Sequence, residues 1–346
     1  MRFASVWSAP RARVSCCRSS TNFCLLPLTP GQRGEAIRDL QRRLGAAGFP
    51  PAAGAEAAYF CAATEEAVRA FQNGRGLRCD GVCDEQTWTA LVEASWKLGD
   101  RLLFLTSPNL RGDDVAELQS RLGRIGFDCG RVDGILGPST ARALEEFQSN
   151  CGTPADGVCG PDTVRTLTIM SSQTGAGPGI AAVRERERLR AGLGSVAQCR
   201  IVIGQYGGLS ALTRTLSREL RLRGATVMSL DEPDAVAQAT AANHFAADVY
   251  LGFETQTDPA ALIQFYRVPS FESAGGRALA ELIAEKFACI GELEPDVRGM
   301  RLPMLRETRM PAVQCVFGPV REAIDAGPAI AVAIIEALEQ WVSRST

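Results

Sequence analysis

Two small all-α modules, each of three helices, followed by an α/β domain: this multidomain architecture is predicted by three features of the chain. A unit of about 77 residues occurs twice between positions 30 and 172. A Gly/Ser-rich break, Ser171-Ser172-Gln173-Thr174-Gly175-Ala176-Gly177-Pro178-Gly179, follows the second copy. From Cys199 onward the pattern switches to alternating strands and helices. The predicted boundaries are an arm over 1–29, repeats over 30–96 and 97–172, a linker over 173–198 and the α/β domain over 199–346.

The copies align almost residue for residue. Gly34, Leu40-Gln41, Leu44, Gly48-Phe49, Thr64, Val68, Phe71-Gln72, Asp80-Gly81, Thr87 and Leu91 recur as Gly112, Leu118-Gln119, Leu122, Gly126-Phe127, Thr140, Leu144, Phe147-Gln148, Asp156-Gly157, Thr163 and Leu167. The offset is 78 residues before Thr64 and 76 after it, so one loop is two residues shorter in the second copy. Val115, Leu118, Leu122 and Ile125 make a single apolar stripe for the first helix of that copy, and Gly126 stands where a left-handed cap ends it. Thr64 and Thr140 are expected as N-caps of the second helix, and Thr87 and Thr163 open the third. The copies differ at one turn: Asp133-Gly134-Ile135-Leu136-Gly137 stands where the first copy has Ala57-Ala58-Tyr59-Phe60-Cys61. Most of the recurring aromatics, leucines and turn glycines are expected to serve the core and the turns.

In the last domain, strands are expected over 200–204, 226–230, 248–254, 262–268 and 312–318. Helices are expected over a Leu209, Leu212, Leu216, Leu220 stripe closed at Gly224, and over 234–247, 274–290 and 328–342, with Pro328 in the first turn of the last. The mixed-charge stretch Arg184-Glu185-Arg186-Glu187-Arg188 reads as a solvated helix face between the break and this domain.

Composition excludes several classes. With 46% hydrophobic residues the chain can bury proper cores, and a net charge of −2 provides no general attraction to nucleic acid or membrane. The first 30 residues carry arginines and no acid, but lack the apolar run of an export signal, and no stretch is long enough to span a membrane. The 12 cysteines are scattered and expected reduced. Cys79 and Cys83, like Cys151 and Cys159, flank an Asp-Gly turn at spacings that match no regular zinc knuckle; Cys83 and Cys159 are expected to fill the same small apolar pocket in each copy.

The repeated pattern resembles the bacterial peptidoglycan-binding domain, a three-helix module. Residues 199–346 resemble the zinc-dependent N-acetylmuramoyl-L-alanine amidases. That resemblance puts Tyr206 at the first zinc histidine, leaves no acid between Gly204 and Arg218 for the second ligand, puts Glu254 at the third ligand position and Val316 at the catalytic glutamate. The sole histidine, His244, lies on the helix before the Glu254 strand. Such a site needs three ligands, an open position for water and a carboxylate. Hence no catalytic residue, no metal ligand and no cofactor is expected, zinc entering only if the alternative, a peptidoglycan amidase, holds.

The combination, with Glu254-Thr255-Gln256-Thr257 and Thr308-Arg309-Met310-Pro311-Ala312-Val313-Gln314, resembles the actinobacterial amidase-like regulators of cell-wall precursor synthesis. It implies a cytoplasmic, non-enzymatic protein that activates the UDP-N-acetylglucosamine enolpyruvyl transferase under control of a Ser/Thr kinase. The partner is then a cell-wall synthesis enzyme or peptidoglycan precursor, with no nucleic acid and no transmembrane segment. Tyr206, Glu254, Gln256, Arg309 and Gln314 are expected to line the former metal groove as a recognition surface.

Overall fold

The computed structural model describes residues 26–172, 179–191, 194–269, 271–288, 290 and 294–344. Most of the expected arm (1–25, with Cys16, Cys17 and Cys24), the break at 173–178, Cys289 and Ser345-Thr346 lie outside the described residues.

Each repeat forms the three helices its spacing predicts: α1 (Glu35–Ala46), α2 (Ala62–Arg75) and α3 (Glu85–Ala94), then α4 (Asp113–Arg124), α5 (Pro138–Asn150) and α6 (Pro161–Ser172). Their stripes close two equivalent cores, Leu40, Leu44, Val68, Phe71 and Leu91 in one and Leu118, Leu122, Leu144, Phe147 and Leu167 in the other. Phe49 packs edge-on against Phe71 with ring centroids 5.6 Å apart, and Phe127 against Phe147 at the same 5.6 Å. Cys83 and Cys159 are buried at matching bridges to Leu28 and Leu103, and burial pushes both thiols up to about 12. They are inert packing residues in the shared pocket.

The recurring threonines do a different job from the expected one. Cys61, Gly137 and Asp84 occupy the N-cap positions of α2, α5 and α3, so Thr64, Thr140, Thr87 and also Thr163 sit inside the first turn, buried. Each accepts a hydrogen bond from a motif glutamine. The Gln72 amide donates to Thr87 Oγ1 (3.1 Å), Asp80 Oδ1 (3.0 Å) and the Val82 carbonyl (2.9 Å), while its oxygen accepts from the Gly81 N–H (2.9 Å). Gln148 repeats the set on Thr163, Asp156, Val158 and Gly157. Gln41 and Gln119 do the same for the other turn, binding Thr64 and Thr140 and accepting from Ala58 N and Gly134 N. A glutamine amide has two donors and an acceptor with two lone pairs, so one side chain ties a turn to the next helix. Ala58 adopts φ +60° where Gly134 has φ +71°, so the turn that lost its glycine keeps its shape.

The α/β part contains β1 (Arg200–Gln205), α8 (Ser210–Leu222), β2 (Thr226–Leu230), α9 (Ala235–His244), β3 (Val249–Thr255), β4 (Ala260–Val268), β5 (Phe271–Glu272), α10 (Ala274–Phe287), β6 (Asp296–Met300), α11 (Pro303–Glu307), β7 (Ala312–Gly318), α12 (Val320–Asp325) and α13 (Gly327–Arg344), preceded by α7 (Ile180–Ala191). The sheet order is β2-β1-β3-β7-β4-β5, with β6 also paired to β4. β2, β1, β3 and β7 are parallel; β4 is antiparallel to β7. The strongly apolar β1 and β3 are buried on both faces, as parallel strands require.

One face is covered by α8, α10 and α13 through Ile201, Ile203, Leu251, Phe253, Val313 and Phe317. On the other, Val202, Tyr250, Tyr266 and Ala312 meet α9 and α11, and also Val132 and Ala116 of the second repeat and Ala182 of α7. The repeats therefore complete the core of the sheet, instead of hanging from a linker. The Arg184–Arg188 stretch departs from a wholly solvated face in the same way: the Glu185 carboxylate accepts from Ser273 Oγ (2.6 Å), Ala274 N (3.2 Å) and Gly275 N (3.2 Å), capping α10.

The deepest contact between the halves is ionic. Glu93 of α3, 4% exposed, bonds Arg301 and Arg306, which are 9% and 8% exposed. Arg306 also donates from Nε to the Asp133 carbonyl (2.8 Å) and from Nη2 to that of Gly134 (3.4 Å). The Arg301 N–H donates to the Gly76 carbonyl at 2.6 Å, and Gly76 (φ +65°) leaves a Cβ only 3.0 Å from that nitrogen. The segment between β6 and β7 thus holds turns of both repeats at once.

Candidate functional site

The parallel strands β1, β3 and β7 end side by side, and their register decides which residues meet there. Gly204 pairs with Gly252, Gly252 with Gln314 and Gln314 with Gln264, a row across four strands. The Tyr206 N–H donates to the Phe253 carbonyl (2.9 Å), which extends the β1 register and sets Tyr206 beside Glu254; Glu254 in turn pairs with Val316. Because side chains alternate along a strand, Tyr206, Glu254 and Gln314 share the face of Tyr250 and Gly252. The two glycines make the room: a Cβ on Gly252 would lie 1.9 Å from Gln314 Oε1, and one on Gly204 would lie 1.9 Å from the Tyr250 hydroxyl. Gly207 and Gly208, at φ +98° and +81°, turn the chain away toward α8.

Of the five expected groove residues, Tyr206, Glu254 and Gln256 gather at this edge, and Gln314 lies two residues deeper on the same face. Gln256 continues the pairing through its N–H to the Phe317 carbonyl (3.0 Å) and turns its amide onto the Asp258 carbonyl (3.3 Å). Arg309 departs from the expectation. It precedes β7, whose first residue Ala312 pairs with Tyr250 near the start of β3, so it stands at the opposite end of these strands. At about 3.3 Å per residue that is roughly 20 Å from Val316. Its N–H caps onto Asn243 Oδ1 (2.9 Å) instead. His244 closes α9, exposed.

Three polar residues of the site carry no motif. The Tyr250 hydroxyl donates to Gln238 Oε1 (2.7 Å), and the Gln238 amide donates to the Gln205 (3.1 Å) and Glu232 carbonyls. Gln264 lies beside Gln314. The signal that could have found them is a glycine inside each of two apolar strands, marking close approach of a side chain. In this network Gln314 Oε1 meets no hydrogen-bond partner, and the Tyr206 hydroxyl is buried against the hydroxyl of Tyr250. Burial pushes the Tyr206 phenol up to about 12, with the charge of Glu254 adding to the shift.

These residues do not fit a catalytic zinc ion. Tyr206 is a neutral phenol at ordinary pH, Val316 is apolar, and Glu254 is the one charged donor at the three positions. Among the described residues no three His, Cys, Asp or Glu side chains come within range of a common metal. Nor is any described helix long and apolar enough to cross a membrane.

The sequence model of the peptidoglycan binding domain matches residues 33–91 and 111–167. N-acetylmuramoyl-L-alanine amidase CwlM of Mycobacterium tuberculosis is 34% identical over 316 residues, 82% of this chain and 77% of that protein. N-acetylmuramoyl-L-alanine amidase CwlL of Bacillus licheniformis is 34% identical over 149 residues, 37% of this chain and 41% of its own. Among solved structures, the catalytic domain of the amidase CwlV from Bacillus (Paenibacillus) polymyxa matches 42% of this chain and 98% of its own at 14% identity and a TM-score of 0.34. Ami1 of Mycobacterium smegmatis does so over 42% and 97% at 12% identity and 0.35. With both repeats matched and four-fifths of its length aligned to the mycobacterial protein, the chain belongs to the CwlM family of amidase-like proteins with tandem peptidoglycan-binding domains.

Proposed function

We propose that this protein is a non-catalytic, cytoplasmic regulator of cell-wall precursor synthesis, acting by binding the UDP-N-acetylglucosamine enolpyruvyl transferase. The observation that carries the loss of catalysis is the donor set at the ends of β1, β3 and β7. A neutral Tyr206, a lone Glu254 and the apolar Val316 supply neither three metal ligands nor a second carboxylate to move protons. The same residues favour recognition: Tyr206 and the Glu254 carboxylate are half-buried at the strand ends, polar groups at the place where an open α/β sheet receives a ligand. Gln256 extends that edge. The transferase as partner is what the resemblance to the actinobacterial regulators implies.

A zinc-dependent amidase is the competing reading, favoured by the amidase names of the relatives. Elemental analysis of the purified protein, peptidoglycan hydrolysis and a transferase assay with added chain separate the two. No stoichiometric zinc, no hydrolysis and an altered transferase rate are expected. One equivalent of zinc that is lost in Glu254→Gln, together with hydrolysis, overturns the proposal. Should the transferase neither bind nor change rate, the regulatory half falls. A folded Tyr206→Ala, Glu254→Ala variant that binds the transferase as well as the parent does removes the groove from the account.

A further inference from the structure

Away from the strand ends, helix α8 borders a concavity. Its inner face buries Leu212, Thr213, Leu216, Ser217 and Leu220, while Arg214, Arg218 and Arg221 stay exposed at i, i+4 and i+7 along the flank that overhangs β2. β2 is the edge strand of the sheet. Between the helix flank and this edge lies a cavity of about 370 Å³ lined by Thr213, Arg214, Ser217, Arg218, Arg221, Leu222 and Ser229. Three of the seven are arginines, three bear hydroxyls and none is acidic. In a chain whose net charge is −2, such a lining is not a consequence of composition.

Two of the three arginines, Arg214 and Arg221, are positioned but not neutralised. Arg214 donates Nε to the Ser210 carbonyl (3.1 Å) and Arg221 donates Nη2 to the Val227 carbonyl (2.9 Å). Each has one donor fixed by the backbone, no carboxylate partner among the described residues, and the rest of its five-donor fork available. Arg218 shares Glu219 (3.1 Å) with Arg223, and Arg223 also pairs with Glu339 (2.9 Å). The floor is a hydroxyl pair, Ser217 Oγ and Ser229 Oγ at 2.8 Å. A merely solvated helix face would be convex and would hold its arginines on acids one turn away. Here Arg214 and Arg221 line a cavity and, among the described residues, are held by backbone carbonyls alone.

We propose that the α8–β2 cavity binds a ligand carrying two linked phosphate groups. Guanidinium forks match phosphate oxygens bidentately. Arg214 to Arg221 spans about 10 Å at 1.5 Å of rise per residue, too long for one phosphate and suited to two in series. Leu222, 74% exposed at the rim, offers an apolar surface to the remainder of the ligand. The diphosphate is the shared chemistry of a soluble ester and of a lipid headgroup.

Calorimetric titration of the full chain with inorganic pyrophosphate and with orthophosphate, at equal ionic strength, tests the site. Saturable binding of pyrophosphate, roughly tenfold tighter than orthophosphate, is expected, as is a similar loss in Arg218→Gln, Arg221→Gln. Arg277→Gln, which removes an exposed arginine of α10, should leave the affinity unchanged. Vesicles with a diphosphate-headed lipid identify the source: capture that pyrophosphate displaces supports a lipid, and pyrophosphate binding without capture supports a soluble ligand. No saturable binding, equal affinity for the two anions, equal affinity in the double variant, or an equal loss in Arg277→Gln overturns the proposal. Because none of the substituted side chains packs in a core, unchanged circular dichroism and thermal unfolding are expected throughout.

Discussion

Replacing Glu93 by alanine tests whether the two halves form one cooperative unit. In the folded protein its carboxylate is the partner of two buried guanidinium groups, Arg301 and Arg306. Removing it leaves two positive charges side by side, away from water and repelling each other. Breaking a buried ion pair in this way typically costs about 3–5 kcal/mol. The alternative carbonyl partners, Asp133 and Gly134 for Arg306, limit the loss toward the lower end of that range. Urea unfolding followed by circular dichroism should show a lower midpoint in Glu93→Ala, and the Glu93→Ala, Arg306→Ala cycle should show a coupling of about 1–3 kcal/mol. The pH dependence has a definite sign. Burial pushes Glu93 up, but the charges of Arg306 and Arg301 outweigh it and hold the carboxyl below its ordinary value. Its contribution is present above the unfolded carboxylate range and disappears as the pH falls through the folded pKa. In the parent, chain cleavage between positions 172 and 179 should leave two pieces that stay associated, because the face they share is buried. A Glu93→Ala protein within about 0.5 kcal/mol of the parent, or pieces that part freely and remain folded, would refute the reasoning.

Ultraviolet titration should find Tyr206 ionising at about 12, with stability level below the unfolded phenol pKa and falling between that value and about 12; Tyr206→Phe should remove this alkaline limb. Ala58→Gly should stabilise the first repeat by about 0.5–1 kcal/mol, relieving a left-handed alanine, whereas Gly134→Ala should destabilise the second by more, because its Cβ also meets the Gly112 carbonyl at 3.0 Å and Arg306 Nη2 at 3.3 Å. Thermal unfolding of the two variants checks both signs.

What the sequence disclosed was local. The repeats were legible because periodicity and duplication both speak through residues within one turn of each other, and the strands expected over 200–204, 226–230 and 312–318 because short apolar runs close to glycines mark them. The threonines misled because a Thr ahead of an apolar run gives the same signal whether it is the cap or the third residue of the helix. β6 and α11 escaped notice: Asp296-Val297-Arg298-Gly299-Met300 has no apolar alternation, and it becomes a strand through its pairing with β4. Arg309 stands away from the groove because strand direction, not sequence distance, decides at which end of a strand a residue lies.

The charged triad was invisible for a stronger reason. Glu93, Arg301 and Arg306 each read as surface residues, since such side chains are almost never buried unless paired. Their partners lie more than 200 positions away in the chain. Arg306, the partner of Glu93, also bonds the carbonyl of Asp133, next to Val132 on the closed face of the sheet, so the contact that buries the apolar face also keeps water from the ions. Arg131 follows the same logic: it lies over the Tyr266 ring at 4.5 Å and donates to the Thr308 carbonyl at 2.5 Å, joining the second repeat to the segment that Arg306 anchors. The arginine-rich β6–β7 connection is therefore the keystone of the architecture. A change there acts on both repeats, because Arg301 bonds the Gly76 carbonyl and Glu93 of the first while Arg306 bonds the Asp133 and Gly134 carbonyls of the second.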